Sequence, residues 1–155
     1  MNELFVPTFP LEAEVHCADG RTFRGRIFLP AASATHAGEM QPEEWLSDAA
    51  PFFPFQETGG GHPVLLNKHE VLVLSVDLPE DSGDDPVLAP VTRRVKVECR
   101  EQVLTGRITV EMPPGKTRVV DFLNAAPPFL AVREGDRRHL VRKARITRVL
   151  ELQEE

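Results

Sequence analysis

The chain has 155 residues, 41% hydrophobic and 27% charged, with fourteen prolines, one tryptophan and no tyrosine. That length fits one domain or two very small ones, and so much proline favours strand ends and turns over long helices. No apolar run approaches the ~18 residues of a bilayer-spanning helix, and the net charge of -6 hides a division: residues 1–92 carry four bases against fifteen acids, net −11, and residues 93–155 carry fourteen against nine, net +5.

The N-terminal stretch MNELFVPTFPLEAEV lacks a basic n-region and a small-residue cleavage site, so a cytoplasmic location is expected. The first predicted strand follows: Val15 and Cys17 alternate with Glu14 and His16, the period-2 pattern of a sheet with one wet face. After an Asp19-Gly20 turn, Phe23, Gly25 and Ile27 continue the apolar side while Arg24 and Arg26 point out. A glycine inside a strand marks a bend or a close backbone approach. PEEWLSDA, residues 42–49, reads as a helical turn, with Pro42 at its first position and Glu43 and Glu44 complementing the positive helix end. The aromatic run PFFPF, residues 51–55, holds Pro54 and so reads as something other than a regular central strand. With Trp45, its rings are expected to fill the mouth of the fold and the contact between units. QETGGGHP, residues 56–63, lacks the phosphate-binding glycine pattern and reads as a hairpin loop. The strand Val71–Val76 is apolar on both sides and is expected to be covered on both faces.

The same series then repeats. EVHCADGRTFRGRI (14–27) aligns with KVECREQVLTGRI (96–108), WLSDAAPFFPF (45–55) with FLNAAPPFLAV (122–132), and HPVLLNKHEVLVL (62–74) with RRHLVRKARITRVL (137–150). Three blocks in register point to an internal duplication. The boundary falls at LPEDSGDDPVLAPVTR, residues 78–93, where three prolines and four acids read as a linker. The expectation is two tandem mainly β units, 11–77 and 94–153, each a small five-stranded barrel with a short helix. Units this small bury little core, so they are expected to dock as a pseudo-dimer.

The order apolar-x-apolar-x-(Asp)-Gly-Arg, then a Gly-centred strand, then a closing LLNKHEV strand resembles the Sm-like small β-barrel, best in the first unit. The resemblance implies a five-stranded barrel, and RNA contacts from an Asp and Asn in one loop and an Arg-Gly pair in another. Asp121 and Asn124 stand at the first loop, one residue closer together than the usual motif. Asn67-Lys68 and Arg142-Lys143 replace the Arg-Gly pair. The pattern Arg118, Asp121, Leu123, Asn124 with Phe129 also resembles an uncharacterised bacterial family, which implies no activity.

No catalytic arrangement and no metal-ligand spacing is legible. The five histidines (His16, His36, His62, His69, His139) read as surface residues, and Cys17 and Cys99 as small core residues. No cofactor and no enzymatic activity are expected. The candidate contacts for a partner or for nucleic acid are Arg137, Arg138, Arg142, Lys143 and Arg145, with Asp121 and Asn124. If residues 142–148 form a strand, Lys143 and Arg145 share one face and Arg142 and Arg148 the other. Phosphate binding needs such a basic face, but stacking aromatics are scarce in this half. The basic face is therefore expected to answer the acidic first unit. The favoured function is a non-catalytic protein-interaction or assembly module, with an unknown protein partner or self-association. The alternative is RNA or single-stranded nucleic-acid binding through the second unit.

Overall fold

The computed structural model describes residues 8–30, 40–48, 50–78, 91–110, 118–125 and 127–153. Of the expected linker, residues 78–93, the part from 79 to 90 lies outside the described residues, as do His36, Ala49, Thr117 and Ala126, while Val91, Thr92 and Arg93 belong to a strand and not to a linker. The fold is mainly β, and the chain divides between Val76 and Asp77 into two compact units.

In the first unit, β1 (Thr8–Cys17) and β2 (Thr22–Pro30) form a long antiparallel hairpin. Helix α1 (Pro42–Ser47) starts on its proline, with Glu43 and Glu44 in the first turn. Strands β3 (Phe52–Glu57) and β4 (Val64–Asn67) follow, then a 3₁₀ turn at Lys68–Glu70 and β5 (Val71–Asp77). The strand order is β5-β1-β2-β3-β4. Only the 3₁₀ turn separates β4 from β5, yet the two do not pair: the turn carries the chain to the far end of the order, onto β1.

The second unit runs through β6 (Val91–Cys99), β7 (Gln102–Val110), α2 (Val119–Leu123), β8 (Phe129–Glu134), β9 (Arg137–Arg142), a 3₁₀ turn at Lys143–Arg145 and β10 (Arg148–Glu151). Its order is β10-β6-β7-β8-β9, the same series of connections as in the first unit. Here too the last two strands do not pair, so each order is open where closed barrels were expected.

Alternation decides which side chains form each core. Ala13, Val15 and Cys17 of β1, and Val95, Val97 and Cys99 of β6, are buried while their neighbours reach solvent in part. Ile27 and Ile108 are 0% and 1% exposed. In β5 every residue from Val71 to Val76 is buried, as its two-sided apolar pattern predicts.

Among the described glycines, Gly25 and Gly106 have the closest main-chain neighbours. A Cβ on Gly25 would overlap the Gln56 carbonyl oxygen of β3; one on Gly106 would overlap the Arg133 carbonyl oxygen of β8. Strand β3 meets β2 only through Gly25–Glu57 and Arg26–Gln56, then leaves it to pair with β4. This explains a departure from expectation: Pro54 does lie in a strand between two others. It pairs with Leu65 of β4, beyond the end of the β2 ladder, so no β2 hydrogen bond is lost. Phe53, Phe55 and Trp45 are buried, with Trp45 edge-on to Phe53 at 4.8 Å and Phe55 edge-on to Phe23 at 6.4 Å. Phe52 instead faces out.

Candidate functional site

The basic run that drew attention in the sequence does not form one strand face. Strand β9 ends at Arg142, and Lys143–Arg145 turns in a 3₁₀ helix before β10 begins at Arg148. The alternation expected for residues 142–148 therefore does not exist, because a turn winds three residues where a strand would extend them. Arg137 is half-buried and pairs with Asp77, the first residue of this unit, at 3.3 Å. Arg138 is buried. Arg142 lies over the Phe129 ring, 4.7 Å from its centroid. Arg145 is exposed. His139 corrects the surface reading of the histidines: it sits in the fully buried stretch 138–141, with Nε2 3.0 Å from Glu134 Oε1.

Lys143 has a defined internal role. Its ammonium donates to the Ala125 carbonyl at 2.8 Å and lies 5.3 Å from the centre of the Phe122 ring. Its backbone N–H donates to the Pro128 carbonyl at 2.9 Å. Lys68 does the same in the first unit: its ammonium donates to the Trp45 carbonyl at 2.7 Å and lies 5.0 Å from the Trp45 ring. Its N–H donates to the Pro51 carbonyl at 2.7 Å. In each unit one lysine satisfies carbonyls at the end of a short helix and ties that helix to the strand pair beside it. Burial pushes both ammonium groups below their ordinary pKa; Asp48 partly opposes this at Lys68.

Asp121 is held by Arg118 in a two-point pair, at 2.9 and 3.0 Å, across the first turn of α2. The pair gives a structural reason for the Arg-x-x-Asp spacing. Asn124 is the exposed C-terminal cap of that helix. Asn124 and Lys143 both line a cleft of about 420 Å³ between α2 and β10, with Val119, Leu123, Ile146 and Val149 among its other lining residues. Asp121, Arg137, Arg138, Arg142 and Arg145 are not part of its lining. In the first unit a polar cleft of about 440 Å³ is lined by Glu12, Arg26, Gln56 and the Gly59–Gly61 loop.

Two arrangements escaped the sequence reading because they depend on strand register. On the wet face of the β1–β2 hairpin, Thr22 Oγ1 shares a hydrogen bond with His16 Nδ1 at 3.0 Å. His16 Nε2 is 2.8 Å from Glu14 Oε1, and Arg24 donates to the other Glu14 oxygen at 2.7 Å. The connectivity is hydroxyl, imidazole, carboxylate. The four residues are cross-strand neighbours, Glu14 opposite Arg24 and His16 opposite Thr22. Neither cleft includes them. The period-2 pattern around a short turn was the available signal.

The second arrangement is a row of arginines. Arg94 of β6 lies opposite Arg107 of β7, Arg107 opposite Arg133 of β8, and Arg133 opposite Arg138 of β9. Directly opposed residues share a face of the sheet; Arg107 donates to Thr92 Oγ1 at 3.5 Å and Arg133 to the Leu78 carbonyl at 3.3 Å.

Cys17 and Cys99 are free and buried, and burial pushes both thiols above their ordinary pKa. Among the described residues no cluster of His, Cys, Asp and Glu could hold a metal, and no helix is long and apolar enough to cross a membrane. Comparison with protein-family models, curated proteins and solved structures returns no match for this chain.

Proposed function

We propose that the chain is a non-catalytic interaction or assembly module made of two copies of one Sm-like five-stranded unit. Support for the duplication comes from matched local devices: the crowded glycine, the lysine under the helix end, and the shared strand order. The observation that carries the functional reading is the outer side of the β3–β4 ladder. Strand β4 ends the first unit's order, and Leu65 on it is 69% exposed, with Phe52 of β3 56% exposed. Large apolar groups on a terminal strand favour pairing with another chain. Sedimentation velocity over a range of concentrations tests this. The wild-type protein should self-associate, and Leu65→Lys, which places a charge on the edge, should shift it to monomer with unchanged melting. A wild-type chain that stays monomeric throughout, or association unaffected by Leu65→Lys, would count against the reading.

Nucleic-acid binding through the second unit is the weaker alternative. Arg142 and Lys143 already cover aromatic rings, and Phe122 and Phe129 lie beneath them instead of offering bases a platform.

A further inference from the structure

Lys143 lacks the counter-charge that Lys68 has. In the first unit Asp48, three residues beyond Trp45, acts on the Lys68 ammonium and opposes the effect of burial. In the second unit the residue three beyond Phe122 is Ala125, and it offers the ammonium only a carbonyl. Burial alone shifts Lys143, so among the described residues no acid compensates its charge. A half-buried cation without a counter-ion is costly. The cleft that Lys143 lines does not supply one: Glu151 is part of the lining but does not act on the lysine, and Arg148, also in the lining, is paired with Glu98 at 2.6 Å. An ammonium carries three donors. Here one goes to the Ala125 carbonyl at 2.8 Å and another reaches the Phe122 carbonyl at 3.5 Å, which leaves a third. Around it the cleft is apolar at Val119, Leu123, Ile146 and Val149, with the Asn124 amide beside them. One wall, β10, ends the strand order of its unit and pairs with β6 alone among the described residues.

We propose that the cleft between α2 and β10 docks the free C-terminus of a partner protein: its carboxylate takes at Lys143 the place that Asp48 holds at Lys68, and its last, apolar side chain enters the cleft. The proposal rests on the interaction-module reading and names the part of the partner that binds. Charge complementarity supports it, since a carboxylate turns a lone ammonium into a charge-assisted, hydrogen-bonded pair. Size supports it too: a cleft of about 420 Å³ is in the range of small-ligand sites and suits a chain end better than a whole helix. A chain end also suits the cleft better than a free aliphatic acid. As a terminal strand, β10 offers backbone groups on one side to a peptide main chain, the mode of strand addition. Lys143 lies on the turn that leads into β10, so a peptide running antiparallel to β10 brings its C-terminus toward the lysine.

The test is fluorescence anisotropy on the full chain with an N-terminally labelled peptide, Gly-Ser-Gly-Ser-Val-Leu, that has a free carboxyl terminus. The same peptide amidated at its C-terminus and octanoate as an unlabelled competitor serve as comparison probes. The expected result is binding of the free acid, with the amide weaker by roughly tenfold or more, as loss of a hydrogen bond between charged groups gives. Octanoate should displace the peptide less well than unlabelled peptide does. Val120, on the cleft wall, is 52% exposed, so Val120→Glu should leave melting unchanged while its added charge repels the carboxylate and weakens binding roughly tenfold. Lys143→Gln should remove the preference for the acid over the amide, a ratio that a loss of folded protein does not change. No binding of the free acid, equal binding of acid and amide, binding insensitive to Val120→Glu, or octanoate competing better than the peptide would each overturn the proposal. Those outcomes leave the β4 association experiment untouched, so failure of the docking cleft and failure of the module reading are read separately.

Discussion

Gly25→Val is expected to destabilise the protein by roughly 3 kcal/mol, with Gly106→Val close behind, as overpacking without room to relax does. The cause is space and not backbone conformation. At Gly25 an added Cβ meets the main chain of Gln56 and Glu57, which cannot swing aside as a flexible side chain would. At Gly106 it meets the Arg133 carbonyl and comes within 2.9 Å of Val132 Cγ1. At Gly25, β2 and β3 are joined by a two-residue ladder, so relief there would require breaking it. Gly61→Ala is the control, because nothing lies within 4 Å of its added Cβ; its effect should stay within about 0.5 kcal/mol. Urea unfolding of the three variants measures this. Equal midpoints for all of them would show that the strands do not approach as described.

Truncating the central isoleucines should cost about as much. Ile27→Ala and Ile108→Ala each remove buried methyl groups from a packed interior and should lose about 2–5 kcal/mol. Both residues are two positions beyond the crowded glycine, on the inward side of β2 and β7. Val103→Ala, at a position 54% exposed, should change stability little. Thermal unfolding separates the cases, and wild-type-like melting of both isoleucine variants would mean that the core lies elsewhere.

What could be read from the sequence follows the range of each signal. Alternation is local, so the buried faces of β1 and β6 were legible from Val15, Cys17, Val97 and Cys99. The repeat made Gly25 and Gly106 legible as close approaches, although not which carbonyl each one meets. The Arg118–Asp121 pair has the three-residue spacing of neighbours on one helical turn, a local signal. Features that depend on register between strands were not legible. Arg107 and Arg133 are opposed through a single residue pair, and no local pattern announces it. The basic run looked like one surface because Lys143 and Arg145 follow Arg142 closely in the chain; the 3₁₀ turn places the Lys143 ammonium over the Phe122 ring instead. His139 looked polar and superficial, but the apolar residues Leu140 and Val141 beside it are buried with it. The Lys68 and Lys143 contacts were prefigured only as an aligned pair of letters, since a lysine over an aromatic ring has no sequence signature of its own.

The most direct test of the repeated-unit architecture is a crystal structure in which residues 8–77 are superposed on residues 91–152. The expected result is that Gly25 falls on Gly106, Trp45 on Phe122, Leu65 on Leu140 and Lys68 on Lys143, with both ammonium groups bonded to carbonyls at the ends of the short helices. One continuous sandwich with these pairs in unlike positions would contradict it.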